Sequence, residues 1–147
     1  MPWWSASSDR ANERAEMIGL DTNVLVRLLT ADEPVQLAAA TRLLAAHDGE
    51  PAAFFVNDMV LLQLAWVLRR LYEFESKDAI EAVKSLLDND AFVFEDRDRL
   101  DRVVSLCRTK GFDFADAMIA LTNLAAGCAF TATFDKAMRQ LPSVRVL

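Results

Sequence analysis

A chain of 147 residues with 53% hydrophobic content is the size of one ordinary domain and has ample apolar material for a single packed core. Its formal net charge of −6 argues against a general nucleic-acid coat protein, which carries a basic surface. It leaves room for an enzyme whose acids hold metal ions and whose basic residues are confined to one rim. His47, the one histidine, lies in a turn-like stretch beside Asp48 and Gly49 and reads as a loop residue, so neither a Ser-His-Asp triad nor a His-rich zinc site is expected. Cys107 and Cys128 match no metal-ligand spacing and read as buried thiols in a reducing compartment. No apolar run approaches the roughly 18 to 20 residues that span a bilayer, and residues 1–16 lack the apolar core of a secretory signal, so the expected location is the cytoplasm.

The apolar pattern begins only at Met17, so residues 1–16 read as an appended tail in which Trp3 and Trp4 find a surface, and residues 17–147 as the domain. Met17 is itself a candidate natural start. Leu20 and the residues before it form a short buried strand, and Val24, Leu25, Leu28 and Leu29 have the spacing of a helix face. Asp32 and Pro34 mark the next helix, to about Ala46. Residues 53–56 are a strand, after which Asn57 or Asp58 caps a helix over 59–72 whose inner face carries Val60, Leu64, Val67 and Leu71, with Gln63 at its border. Ser76 opens another helix, residues 91–94 a strand, and Asp96 a helix lined by Leu100, Val103, Val104 and Cys107 and stopped by Gly111. A helix over 112–126, a strand at 130–133, a short helix over 135–141 and a last strand at 144–146 complete the chain. Strands alternating with helices and no hairpin signal predict an α/β fold with a mostly parallel sheet.

Asp21 falls at a strand-to-helix junction, where ligands of open parallel sheets collect. Capping of the following helix by Asp21 or Asn23 is the competing reading. Asp113 and Asp116 open a later helix, and Asp135 follows a late strand. Carboxylates at strand ends and helix starts can meet on one side of a parallel sheet, and such a cluster repels itself unless hard divalent cations occupy it. With only oxygen ligands on offer, Mg²⁺ or Mn²⁺ fits best. Capping by Asp113 and by Asp135 remains open at this stage.

The motifs Leu20-Asp21-Thr22-Asn23-Val24-Leu25, Val60-Leu61-Leu62-Gln63-Leu64-Ala65-Trp66-Val67-Leu68-Arg69, Asp113-Phe114-Ala115-Asp116 and Thr133-Phe134-Asp135 occur in this order. As an ordered set covering nearly all of residues 17–147, they resemble the PIN-domain ribonucleases of the VapC toxin type. The resemblance implies a PIN-like three-layer sandwich with a central, mostly parallel sheet. It also implies metal-dependent hydrolysis of RNA phosphodiesters by the toxin of a type II toxin-antitoxin pair. Asp21, Asp116 and Asp135 would carry the metal, Asn23 and Thr133 would orient ligands or water, and Asp113 would hold a metal-bound water or simply cap its helix. A homodimer and an antitoxin that blocks the acidic pocket, with an inserted arginine, belong to the same implication.

One position departs from the family pattern, which has a glutamate where this chain has Gln63. An amide keeps the size and one acceptor but loses the charge, so metal affinity and turnover should fall. Asp58 stands about 140° away round the helix, and Glu73 and Glu75 at or beyond its far end, so none replaces the missing acid. Arg27, Arg69, Arg70 and Lys110 flank the motifs as candidates for phosphate contacts at the rim, with ordinary solvated charge as the alternative. Two other functions compete. A catalytically silent PIN-fold module would bind RNA or antitoxin through the altered site. A phosphatase built on Asp21 would want a second acid at position 23, where this chain has Asn23, and a receiver domain would want a lysine after a late strand beside a phosphorylated Asp, which Lys136, adjoining Asp135, matches poorly.

Overall fold

The computed structural model describes residues 16–147, and the tail that contains Trp3 and Trp4 lies outside them. The elements run β1 (Ile18–Gly19), α1 (Thr22–Thr30), α2 (Pro34–Ala46), β2 (Phe54–Val56), α3 (Asp58–Leu71), α4 (Ser76–Leu87), β3 (Phe92–Phe94), α5 (Arg97–Lys110), α6 (Phe114–Ala125), β4 (Thr131–Thr133), a single 3₁₀ turn (Lys136–Met138) and β5 (Val144–Val146). Every strand pairing among them is parallel. β1, β2 and β3 form one sheet in that order, with Ile18 opposite Phe54 and Phe54 opposite Phe92. β4 and β5 pair separately, with Thr131 opposite Val144. Parallel strands need crossovers, and the helices between them supply these while covering the sheet, giving an α/β sandwich.

The core is built from the middle strand and the helix that follows it. Phe54 and Val56 of β2 are buried, and Leu61, Leu64 and Leu68 of α3 are fully enclosed. Around them pack Val83 and Leu87 of α4, Leu100 and Val103 of α5, and Ala117 and Leu121 of α6. The ring of Phe54 lies between His47, met edge-on, and Phe92 of the neighbouring strand. Arg99 of α5 pairs with Asp58 at the start of α3 and with Asp96, tying two helix beginnings together.

The helix starts follow cap chemistry. Asn57 accepts the Val60 N–H at 2.9 Å and Asp96 accepts that of Arg99 at 3.0 Å. Gly111 takes a left-handed backbone, φ 73°, and closes α5 by donating its N–H to the Cys107 carbonyl. Four expectations shift. The cap of α2 is Glu33, because Asp32 is engaged by Thr30, Tyr72 and Arg27. Leu71 is 67% exposed, since the buried stripe runs Val60, Leu64, Leu68 and leaves the last residue of α3 beyond the core. The helix expected over 135–141 is one 3₁₀ turn, for Pro142 disfavours helical backbone at the residue before it. Cys107 is buried as expected, whereas Cys128 lies exposed past the turn that ends α6.

Because Phe54 joins β2 to both its neighbours, Phe54→Ala should cost about 3–5 kcal/mol in urea unfolding with an unchanged m-value. A loss below about 1 kcal/mol would show that this ring does not anchor the core.

Candidate active site

Asp21 lies two residues past the end of β1, after Leu20, and is the N-cap residue of α1, its carboxylate accepting the Thr22 N–H at 2.8 Å. Thr22 is 3% exposed. A buried hydroxyl needs a partner, and Thr22 donates to Oε1 of Gln63, 2.6 Å away on the second turn of α3. That bond brings the Asp21 junction and Gln63 together across 41 positions of sequence. Asn23 is turned toward a hollow between α1 and α2 that Arg27 and Gln36 also line. Asp58 is held by Arg99, so it stays on the α5 side and does not substitute for a missing acid at Gln63.

The second group lies around the start of α6. Asp113 caps that helix, with Oδ2 accepting the Asp116 N–H at 3.2 Å and Oδ1 paired with Arg69 of α3 at 3.2 Å. Asp135 caps the 3₁₀ turn through the Ala137 N–H at 2.9 Å, while its own N–H donates to Oγ1 of Thr133 at 3.0 Å. Asp116 differs from the other acids. Its carboxylate, half-buried in the first turn of α6, has neither a hydrogen bond nor an ion-pair partner among the described residues. Burial, then Asp113, then Asp135 push its pKa above the usual 3.8. The neighbouring Cys107 thiol is driven up to about 12 by burial and by the same Asp113 and Asp116 charges. Within the cluster Arg69 offsets Asp113, and Asp116 is left without a cationic partner among the described residues.

Capping is thus realised for Asp21, Asp113 and Asp135, alongside whatever else they do. Among the described residues, no three His, Cys, Asp or Glu side chains converge as a complete protein cage for an ion. Burial, with the charges of Asp113 and Asp135, disfavours the charged form of Asp116, and a nearby cation would favour it.

A protein-family model described as PIN domain matches residues 18–144. The chain belongs to the PIN domain family. No curated protein matches it. PIN domains are typically metal-dependent nucleases that act on nucleic acid, generally with divalent ions. In this PIN domain no described helix is long and apolar enough to cross a membrane.

The cationic residues divide in two. Arg27 spends its guanidinium on Gln36, Asp32 and the Tyr72 hydroxyl, bracing α1 against α2 and the end of α3. Arg69 holds Asp113. Arg70 and Lys110 have no ion-pair partner among the described residues. Two functional features escaped the sequence reading, the Thr22 strap and a cavity beside Arg69. A threonine amid apolar neighbours immediately after the acid was the available signal for the first.

The raised pKa of Asp116 has a definite sign in stability. Between the unfolded value near 3.8 and the higher folded value the native state binds more protons, so stability falls as pH rises through that window and stays lowered above it. Asp116→Asn should therefore raise the urea midpoint at pH 7 in the absence of divalent ions, and the gain should vanish below about pH 4. A variant less stable than the parent at pH 7 would refute uncompensated repulsion at this position.

Proposed function

We propose that this PIN domain is a Mg²⁺- or Mn²⁺-dependent endoribonuclease, the toxin of a toxin-antitoxin pair, with activity lowered by Gln63. The observation that carries the reading is the Asp116 carboxylate at the start of α6, half-buried, without a partner among the described residues, and raised in pKa by burial first and then by Asp113 and Asp135. Asp21, Asp116 and Asp135 would share the ion or ions. A bound divalent ion makes water nucleophilic near neutral pH and stabilises the leaving oxygen. The chain's own residues do the positioning. Thr133 fixes the backbone of Asp135, Asp113 fixes the α6 start that carries Asp116, and Thr22 fixes Gln63 against the Asp21 junction. Asn23 is the remaining candidate for orienting a ligand or water, from the α1 side.

The toxin assignment is supported by the order of the acid motifs along the chain. An antitoxin that inserts an arginine among Asp113, Asp116 and Asp135 would relieve the same repulsion that an ion does, and a homodimer completes the assembly that the resemblance implies. Gln63 specifically favours a second reading, a silent module that binds RNA or antitoxin through the same surface. Its amide accepts from Thr22 and brings no charge to the ion.

Gln63→Glu separates the two, and a carboxylate oxygen accepts the Thr22 hydroxyl as readily as the amide oxygen does. The variant should cleave single-stranded RNA at least about tenfold faster in Mg²⁺ or Mn²⁺, a step of the size that outer ligands and their partners commonly govern. Asp116→Asn on that background should abolish cleavage, and isothermal titration with Mn²⁺ should show tighter binding for Gln63→Glu than for the parent. Equal Mn²⁺ affinity and equal cleavage rates would remove the amide from the account.

Arg70 and Lys110 are the rim cations left free to meet phosphate. Replacing either by Ala should weaken RNA binding and lower the dependence of log K on log salt by about one unit each. An unchanged slope would class them as ordinary solvated charge.

A further inference from the structure

Beside the Asp113–Arg69 pair, α3, α4 and the start of α6 enclose a cavity of about 190 Å³ that neither the acid motifs nor the rim cations explain. Ile80 and Phe114, both buried, and the half-buried Leu62 make its inner wall. Trp66, 56% exposed, stands at its mouth with Arg69 and Arg70. Sites for drug-sized ligands run to roughly 300–1,000 Å³, so this cavity suits one flat ring rather than an extended segment.

We propose that the cavity is a nucleobase subsite of the nuclease, in which Trp66 stacks one unpaired base of a single-stranded RNA substrate while Arg70 meets the adjoining phosphate. This rests on the ribonuclease reading and adds where and how the strand is held. Three observations favour that occupant. An indole face with a guanidinium beside it is the platform on which single-stranded nucleic acid stacks independently of sequence. The molecule is acidic and carries Asp113, Asp116 and Asp135 nearby, so a polyanion needs local cations to approach, and Arg70, without an ion-pair partner among the described residues, lies at this mouth while Arg69 offsets Asp113. The cavity also abuts Asp113, which caps the helix bearing Asp116, so a base seated there leaves its neighbouring phosphate on the acidic side. A second copy of this chain fits less well, because a two-fold contact centred here would set Arg69 and Arg70 against their own counterparts.

The test uses the full chain and single-stranded RNA octanucleotides, followed by fluorescence anisotropy in Ca²⁺, a larger ion that oxygen ligands also hold, with the strand checked intact on a gel. Trp66→Ala should weaken binding about 5- to 100-fold and Trp66→Phe much less. With an octanucleotide that lacks bases at its central positions, parent and Trp66→Ala should bind alike, and the corresponding duplex should show no Trp66 dependence. If the parent binds and Trp66→Ala binds equally well, the subsite is refuted and the ribonuclease reading stands. If the parent binds no oligonucleotide, both fail. If Trp66→Ala and Trp66→Phe leave affinity unchanged but shift the oligomeric state in sedimentation, the face belongs to a second copy and the base subsite is overturned.

Discussion

The hydroxyl of Thr22 is nearly sealed from water, and a sealed hydroxyl without an acceptor costs about 1–3 kcal/mol. Its acceptor is Gln63 on α3, so the first helix is docked on the third by a polar bond placed one residue after Asp21. Apolar packing alone would hold the two helices together yet tolerate small slides between them. A single short hydrogen bond with one geometry does not. Asp21 inherits that rigidity, because its own carboxylate is bonded to the Thr22 N–H.

A different force shapes the other half of the site. Asp113 and Asp135 are held in place by backbone N–H groups that their side chains cap. Asp116 receives no such bond and lies between their charges. Arg69 offsets Asp113 on one flank, leaving the surplus on Asp116. Capping and ion binding are therefore not rivals at this site. The caps fix two carboxylates, and burial together with their charges makes Asp116 costlier to ionise.

Much of this was legible in the sequence, for identifiable reasons. The element order could be read because five of the six α-helices among the described residues begin with a side chain that caps them, α4 being the exception, and Gly111 closes α5. The stripe of Leu100, Val103, Val104 and Cys107 was readable because all four are buried. What failed depended on competition between partners distant in sequence. Asp32 reads as a helix cap until Tyr72, 40 positions later, claims its carboxylate. Arg27 reads as a free rim cation until Gln36, Asp32 and the same Tyr72 take its donors. Trp66 reads as one more apolar residue in a helical motif, and only the tertiary arrangement puts it at the mouth of a cavity. The separation of β4 and β5 from the other three strands is likewise a matter of pairing that no local pattern encodes.

The amide at position 63 follows from the same two forces. As an acceptor for Thr22 it serves the helix docking fully, because that bond requires an oxygen and not a charge. As a neighbour of the Asp21 junction it spares the ion-free protein another carboxylate next to one already present. A glutamate would keep the docking bond but add to the repulsion, recovering the loss only when a cation binds. The folded state without metal is thus better served by Gln63, whereas tight metal binding is better served by an acid. If an ion binds here as proposed, structural stability and metal affinity would pull in opposite directions at this one residue, and the Thr22 bond would accept either an amide or a carboxylate oxygen.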